Sequence, residues 1–531
     1  MTNRVAGLLA LAFVALLVAG AFAGLIAEAV RDWSGAAGAF DGYMLRIARF
    51  TLWQAALSTL LSIVPAILVA RAFSRHPAFP GRGLLLRLFA VPLGLPAIVA
   101  ALGLLALYGR AGFAADLAEA LGGGSWPGIY GLSGILIAHV FFNLPLATRL
   151  LLESLEAVPA DQWRLASQLG MGARASFRLV EWPAIRSALP GVAALVFMLC
   201  VTSFTLVLTL GGGPAATTLE VAIYQSLRFD FEPARAVALT AVQVALTLAA
   251  VATIYLMGAD PAGDANLPAT GRRLADAGRS ETLVNVVILG LAALFVVAPM
   301  AAIVASGLSA DLGRLATERT VQAATLTSLA LALAAAAISV ALSLSLVATR
   351  RAMAVARGLG RRSWMERLVD AGPALVLVVP PIVIGAGWFV LLRHVADVFA
   401  LAPVMVVAVN AVMAMPFVVR AVRPAYDAAS ERNDRLCAQF GISGLTRAWL
   451  IDWPALRRPL TTGFAFAMAL SLGDLGVIAL FGSDAVQTLP YLLYQRMGSY
   501  RTADAAGLAL LLGIVCFALV AAADRLGRER G

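Results

Sequence analysis

Gly170-Met171-Gly172-Ala173-Arg174-Ala175-Ser176-Phe177-Arg178-Leu179-Val180-Glu181-Trp182-Pro183 returns 271 positions later as Gly441-Ile442-Ser443-Gly444-Leu445-Thr446-Arg447-Ala448-Trp449-Leu450-Ile451-Asp452-Trp453-Pro454. What the copies share is a glycine, nine residues, an aliphatic residue, an acid, Trp and Pro. The register extends outward: Pro145 and Arg149 answer Pro416 and Arg420, Gln168 answers Gln439, and Arg186 answers Arg457. With one residue lost, Thr218-Leu219 and Tyr224-Gln225 answer Thr488-Leu489 and Tyr494-Gln495; upstream, at an offset of 284, Pro96, Ile98-Val99 and Gly103 answer Pro380, Ile382-Val383 and Gly387. The chain is a tandem duplication, and its polar loop is kept in both copies.

Composition says what surrounds that loop. Of 531 residues, 61% are hydrophobic and 13% charged, and mean hydropathy is +0.88, against about 25% charge in a soluble domain. Apolar runs of the length needed to cross about 30 Å of hydrocarbon lie near 6–30, 50–70, 88–108, 129–150, 190–210, 236–258, 283–306, 322–348, 371–392, 398–419, 461–481 and 505–523. The expectation is an all-α polytopic membrane protein with twelve transmembrane helices. The N-terminal apolar stretch after Arg4 has Ala-x-Ala-like positions near Ala21 to Ala23, but it is longer than a signal-peptide core and is read as the first span.

With the N-terminus in the cytoplasm, 29 of the 40 basic residues fall on the cytoplasmic side, among them Arg71, Arg75, Arg82, Arg87, Arg350, Arg351, Arg357, Arg361, Arg362, Arg525, Arg528 and Arg530. That is the positive-inside bias and places both termini in the cytoplasm. The net charge of +10 is then accounted for by topology and by membrane lipid headgroups, with no nucleic acid partner required. Every basic residue is arginine. A phosphate-binding P-loop needs a lysine, so if ATP drives this chain, another subunit binds it. Cys200, Cys437 and Cys516 are isolated, and His76, His139 and His394 have no metal-ligand spacing, so neither a disulfide framework, a metal centre nor another cofactor is expected.

The polar, Pro/Gly-rich segment between Asp260 and Glu281 has the composition of a linker. Expected boundaries are 1–46 for the first span and its periplasmic loop, 47–258 for the first repeat with its loop at 154–189, and 259–282 for a cytoplasmic linker. A seventh span and periplasmic loop follow at 283–321, then the second repeat at 322–524 with its loop at 421–460. The loops are separated by an even number of spans, so both face one side and the repeats are parallel.

Within each loop, Ala160 to Leu169 and Glu431 to Phe440 favour an amphipathic helix that Gly170 and Gly441 end at C′. A second short helix is expected over 174–180 and 445–450, before Trp-Pro interrupts the helical hydrogen bonds. One such loop is also what an interfacial anchor through Trp182 or Trp453 looks like. Two in the same register are better explained by docking of two identical soluble subunits, since equivalent sites meet equivalent partners.

The Gly, nine residues, aliphatic, x, x, Pro frame resembles the "EAA" loop of ABC-transporter permeases of the type I importer family. Where the family has Glu-Ala-Ala, this chain has Arg164-Leu165-Ala166 and Arg435-Leu436-Cys437. The resemblance implies a MetI-like permease fold of two six-helix repeats in a bacterial inner membrane. Its partners would be two copies of a cytoplasmic ATPase and a periplasmic substrate-binding protein. It also implies ATPase-coupling roles for Arg164, Ala166, Gly170, Trp182, Pro183, Arg435, Cys437, Gly441, Trp453 and Pro454, with no catalytic residue or cofactor of the chain's own.

Gln168-Leu169-Gly170-Met171, Glu181-Trp182-Pro183-Ala184, the stretch Ser471-Leu472-Gly473-Asp474-Leu475-Gly476, Thr488-Leu489-Pro490 and Tyr494-Gln495-Arg496-Met497 resemble the fused permeases of thiamine and thiamine pyrophosphate importers. Fused ferric-iron permeases share the architecture and are the alternative substrate class.

Asp474 is the one acid well inside an expected span, where an aspartate costs about 2.5 to 3.5 kcal/mol on insertion scales. It either faces a cationic substrate or caps a helix break, or else pairs with His139 or an arginine. Ser203 is its counterpart. Tyr224 and Tyr494 fall in matching periplasmic segments and either meet the ligand or belong to an interfacial belt. Gly211-Gly212-Gly213 reads as a flexible loop. An ion-driven secondary transporter would show broken helices and a relay of intramembrane acids, and an integral membrane enzyme would show clustered His, Asp or Cys. The chain has neither pattern in its sequence.

Overall fold

The computed structural model describes residues 2–122, 126–256, 279–357, 360–376, 378–442, 444–483, 486–499 and 501–528; most of the expected linker, 259–278, and Arg530 lie outside them. The helices used below are α1 (Thr2–Arg31), α2 (Gly42–Arg75), α3 (Ala97–Tyr108), α4 (Leu132–Glu156), α5 (Ala160–Gln168), α6 (Trp182–Val201), α7 (Leu219–Arg228), α8 (Pro233–Leu256), α9 (Arg279–Leu308), α10 (Arg319–Arg357), α11 (Pro381–Leu392), α12 (Ala402–Gln439), α13 (Trp453–Gly473), α14 (Leu489–Gly498) and α15 (Thr502–Arg528). No strand occurs among the described residues beyond one isolated bridge at Ser483 and Val486. Helices are the expected form, since within hydrocarbon the backbone must satisfy its own hydrogen bonds.

Among the described residues, eleven helices are long and apolar enough to cross a membrane. The ninth apolar run, expected as one helix over 371–392, is broken: Pro380 and Pro381 leave only the 12-residue α11 beyond the break. Pro96 does the same in the first repeat, where α3 is also 12 residues long. Proline lacks the donor and biases the preceding residue to extended backbone, so each span starts again there.

The chain forms two compact units that differ from its sequence halves. One holds Gly42–Val221 with Ala245–Ser306. Its core joins Ala55, Phe73, Leu151, Leu155, Ile185 and Val196 of α2, α4 and α6 to Leu289 and Val296 of α9. Gly103 of α3 lies against the backbone of Pro299, whose oxygen would be 2.6 Å from an added Cβ.

The other unit holds Met1–Asp41, Ala222–Val244 and Gly307–Gly531, so the first span packs with the second repeat. Gly24 of α1 and Gly387 of α11 approach so closely that a Cβ on either would sit 2.3 Å from the other helix's backbone oxygen. The Trp388 indole N–H donates to the Leu17 carbonyl at 2.7 Å. Small residues at such a crossing let apolar helices associate where lipid gives no hydrophobic drive.

Candidate functional site

Both duplicated loops close their first helix in the same way. Leu169 and Phe440 are the last near-helical residues, and Gly170 and Gly441 follow with φ of +62° and +65°. The Met171 amide donates to the Ala166 carbonyl at 3.0 Å and the Ile442 amide to the Cys437 carbonyl at 2.9 Å. This is the Schellman closure expected of glycine at C′. The helices entering the glycines differ. Pro159 caps α5 and separates it from α4, whereas Ser430 at the same register lets α12 run unbroken to Gln439.

After the glycine each copy makes one α turn and then a π turn, Phe177–Glu181 and Ala448–Asp452, and passes directly into α6 or α13. The interruption expected at Trp-Pro does not occur. Pro183 and Pro454 occupy the first turn of the new helix, where an amide would have no acceptor in any case. The wide π turn makes the change of direction instead.

The first helix of each loop has a packed and an open face. In copy one Trp163 and Ala166 are buried against Val158 and Val180. Cys437, the counterpart of Ala166, is buried too. Ala166 and Cys437 therefore hold the loop together from inside, and of the expected triplets only Arg164-Leu165 and Arg435-Leu436 face outward. The open face repeats across copies as Arg164 and Arg435, Leu165 and Leu436, Gln168 and Gln439, and Leu169 and Phe440. Trp182 and Trp453 are exposed beside it at 37% and 54%.

At the position of Trp163 the second copy carries Asp434. Its carboxylate accepts from Arg447 at 2.6 Å and Arg351 at 3.2 Å. Arg447 lies outside the spans; burial lowers its pKa, but its hydrogen bond to Asp434 and the nearby Asp452 leave it above the ordinary arginine value. At this position one loop is thus held by apolar packing and the other by charge.

Sequence reasoning noted an acid before Trp-Pro without giving it a role. Glu181 is fully buried, and its carboxylate accepts from Arg71 Nε at 2.8 Å and Arg75 Nε at 2.9 Å. Asp452 meets Arg447 at 3.5 Å. The signal was present in the retained acid and in two arginines one helical turn apart at the end of a span.

Asp474 lies at a break between α13 and the turn Gly476–Phe481. One carboxylate oxygen accepts from the Gly476 amide at 3.1 Å, and the other is buried without a hydrogen-bond partner. Asp474 makes no ion pair among the described residues; His139 instead bonds Ser58 through Nδ1 at 2.9 Å. The Gly476 bond is a capping contact at the break, and the Asn410 side chain also interacts with the carboxylate. Beside it the Asn410 amide donates to Ser471 at 3.0 Å. Ser203, half-buried, lies at the matching break after α6.

Tyr224 is 2% exposed and Tyr494 is half-buried. Burial, and then the neighbouring Tyr494 and Tyr491, push the Tyr224 hydroxyl above its ordinary value, and burial does the same at Tyr494. The two tyrosines therefore belong to one inward-facing cluster, next to Arg228, which donates to the Gly482 carbonyl at 2.7 Å and stacks over Phe399 at 5.1 Å.

The family model described as binding-protein-dependent transport system inner membrane component matches residues 62–259 and 348–528. The chain is 58% identical over 529 residues to the thiamine transport system permease protein ThiP of Brucella abortus (strain 2308), covering 100% of this chain and 96% of that one. It is 41% identical over 488 residues to the ThiP of Escherichia coli (strain K12), covering 92% and 90%. A 153-residue stretch is 31% identical to the sulfate transport system permease protein CysW of Synechococcus elongatus, covering 29% and 52%.

Proposed function

The chain belongs to the binding-protein-dependent transport system inner membrane component family, and from that premise we propose that it is the membrane-spanning permease of a thiamine importer. Full-length identity of 58% to a permease named for thiamine carries the substrate reading over the ferric-iron alternative. The broken helices with polar side chains would also suit an ion-driven transporter. Family membership decides against that reading.

In this reading the chain performs no catalysis. Two copies of a cytoplasmic ATPase seat on the open faces at Arg164-Leu165-Leu169 and Arg435-Leu436-Phe440, and a periplasmic binding protein delivers substrate at the opposite surface. The repeated face is the observation that supports docking: four positions recur in register, and Arg, Leu and Gln are unchanged. Closure of the ATPases moves the loops, and the permease opens a path alternately to each side. Gly170 and Gly441 fix the turn, Trp182, Pro183, Trp453 and Pro454 start the following spans, and Ala166 and Cys437 seat the loop helices.

Along the path, the unpaired oxygen of Asp474 offers a negative site for the thiazolium ring of thiamine, while Ser203, its counterpart, is neutral. Tyr494, half-buried, offers aromatic surface on the periplasmic side, with the buried Tyr224 as its neighbour. The test is ATP hydrolysis by the assembled complex in lipid, with the binding protein loaded with thiamine, thiamine pyrophosphate or ferric iron. Stimulation by a thiamine compound is expected. Stimulation by iron alone, or uptake driven by an ion gradient without the ATPase, would overturn the reading.

A further inference from the structure

In one unit α2 makes a contact near each end and one between them. At one end Arg71 and Arg75 hold Glu181 of the first loop through 2.8 and 2.9 Å bonds, Arg75 also donates to the Ala173 carbonyl at 3.1 Å, and Arg71 lies over the Phe177 ring at 4.9 Å. Glu281 of α9 meets the same two arginines, so two acids balance two bases. Part-way along α2, the Gln54 amide donates to the Cys200 carbonyl at 3.0 Å, at the last turn before the break that follows α6. At the other end Thr51 Oγ1 accepts from the Leu219 amide at 3.0 Å, where α7 begins. From Thr51 to Arg75 is about 36 Å of helix, with Pro65 inside it.

We infer that α2 is a rod that carries displacement of the first loop to the helix break and on to α7, and that Glu181 is the positioning residue that engages it. The rod is engaged through a buried charge pair, which resists separation because either partner left alone would be an uncompensated buried charge. The bonds lie at sites joined by one helix, with Pro65 inside it, a contiguous physical link of the kind that carries coupling between sites. The second unit has the same plan with a different engagement: Ser328 of α10 accepts from the Leu489 amide at 2.7 Å, and Arg351 of the same helix holds Asp434 at 3.2 Å. There the acid precedes the loop glycine, and Asp452, the counterpart of Glu181, bonds only within its own loop through Arg447.

The inference rests on the importer reading, and the experiment separates the two. The full complex is placed in lipid nanodiscs and liposomes with its ATPase and binding protein. A cysteine at Phe229, exposed just beyond α7, reports movement there, because the three native cysteines are buried. Glu181→Gln is expected to leave binding-protein-stimulated hydrolysis in place, to abolish the ATP-dependent change in maleimide labelling at position 229, and to lower thiamine uptake per ATP by about tenfold, within the range of site-to-site coupling. Glu181→Asp, which keeps the charge and shortens the reach, should fall between. Asp452→Asn should lower the ratio less than Glu181→Gln. The inference is overturned if Glu181→Gln keeps both the labelling response and the uptake ratio. Should that variant not assemble, wild-type coupling in assembled Glu181→Asp overturns it equally. A wild-type complex without binding-protein stimulation would instead sink the importer reading.

Discussion

Gly170 and Gly441 show how backbone handedness, and not space, fixes a residue. A Cβ added at either meets nothing within 4 Å, yet φ of +62° and +65° costs a side-chain-bearing residue roughly 1 to 2 kcal/mol. Size should therefore matter little and conformational tolerance a great deal. Gly170→Val and Gly170→Ala are expected to lower the midpoint of thermal unfolding in detergent, and Gly170→Asn to lower it less, because asparagine tolerates this conformation. A steady decline with side-chain volume, Asn included, would show that contact decides. The glycines and their role were legible in the sequence because the repeat aligned them. The inward position of Ala166 and Cys437 was not, since a small residue beside an exposed Arg-Leu pair carries no sign of which face it takes until Val158 and Val180 are folded against it.

At the scale of the element, the two loops share backbone closure but differ in what holds them. Trp163 is 4% exposed in an apolar cluster, and truncating such a side chain to alanine costs about 3 to 5 kcal/mol. Asp434 and its arginines are roughly a quarter exposed, so salt reaches them; the Debye length shortens to about 3 Å at 1 M. Hydrogen exchange of the complex at low and high salt should show loss of protection over 431–447 with little change over 160–171. Equal loosening of both loops would mean that charge does not hold the second. Trp163→Ala should release the first loop at any salt and lower ATPase co-purification, whereas Asp434→Ala should act mainly on the second. The π turns were illegible for a related reason: proline after tryptophan reads as a break, and only the geometry shows that the five preceding residues absorb the turn, leaving Pro183 and Pro454 in unstrained first-turn positions.

Over the whole molecule, the repeat bears on a question that helix length leaves open. Among the described residues eleven helical segments are long enough to cross a membrane, one of them Ala97–Ala120, which begins with α3, and an odd number would put the termini on opposite sides. Yet α3 and α11 occupy matching positions, each 12 residues after a proline, about 18 Å long and short of the roughly 30 Å core. Parallel repeats must treat these segments alike, so both cross or neither does, and the number of crossings is even either way. On this ground we propose that both termini lie on one side, and the positive-inside bias of the arginines supports the cytoplasm as that side. If the broken segments do cross, Arg362 before α11 and Val395 after it lie on opposite faces. Single cysteines at these positions are readable because Cys200, Cys437 and Cys516 are buried, and Val395 is 75% exposed. An impermeant maleimide added to intact spheroplasts should label Val395→Cys and reach Arg362→Cys only after lysis. Labelling of both from one side would make these segments re-entrant and leave ten crossings, with the termini still together. A reporter that placed the two termini on opposite sides would break the parity argument itself.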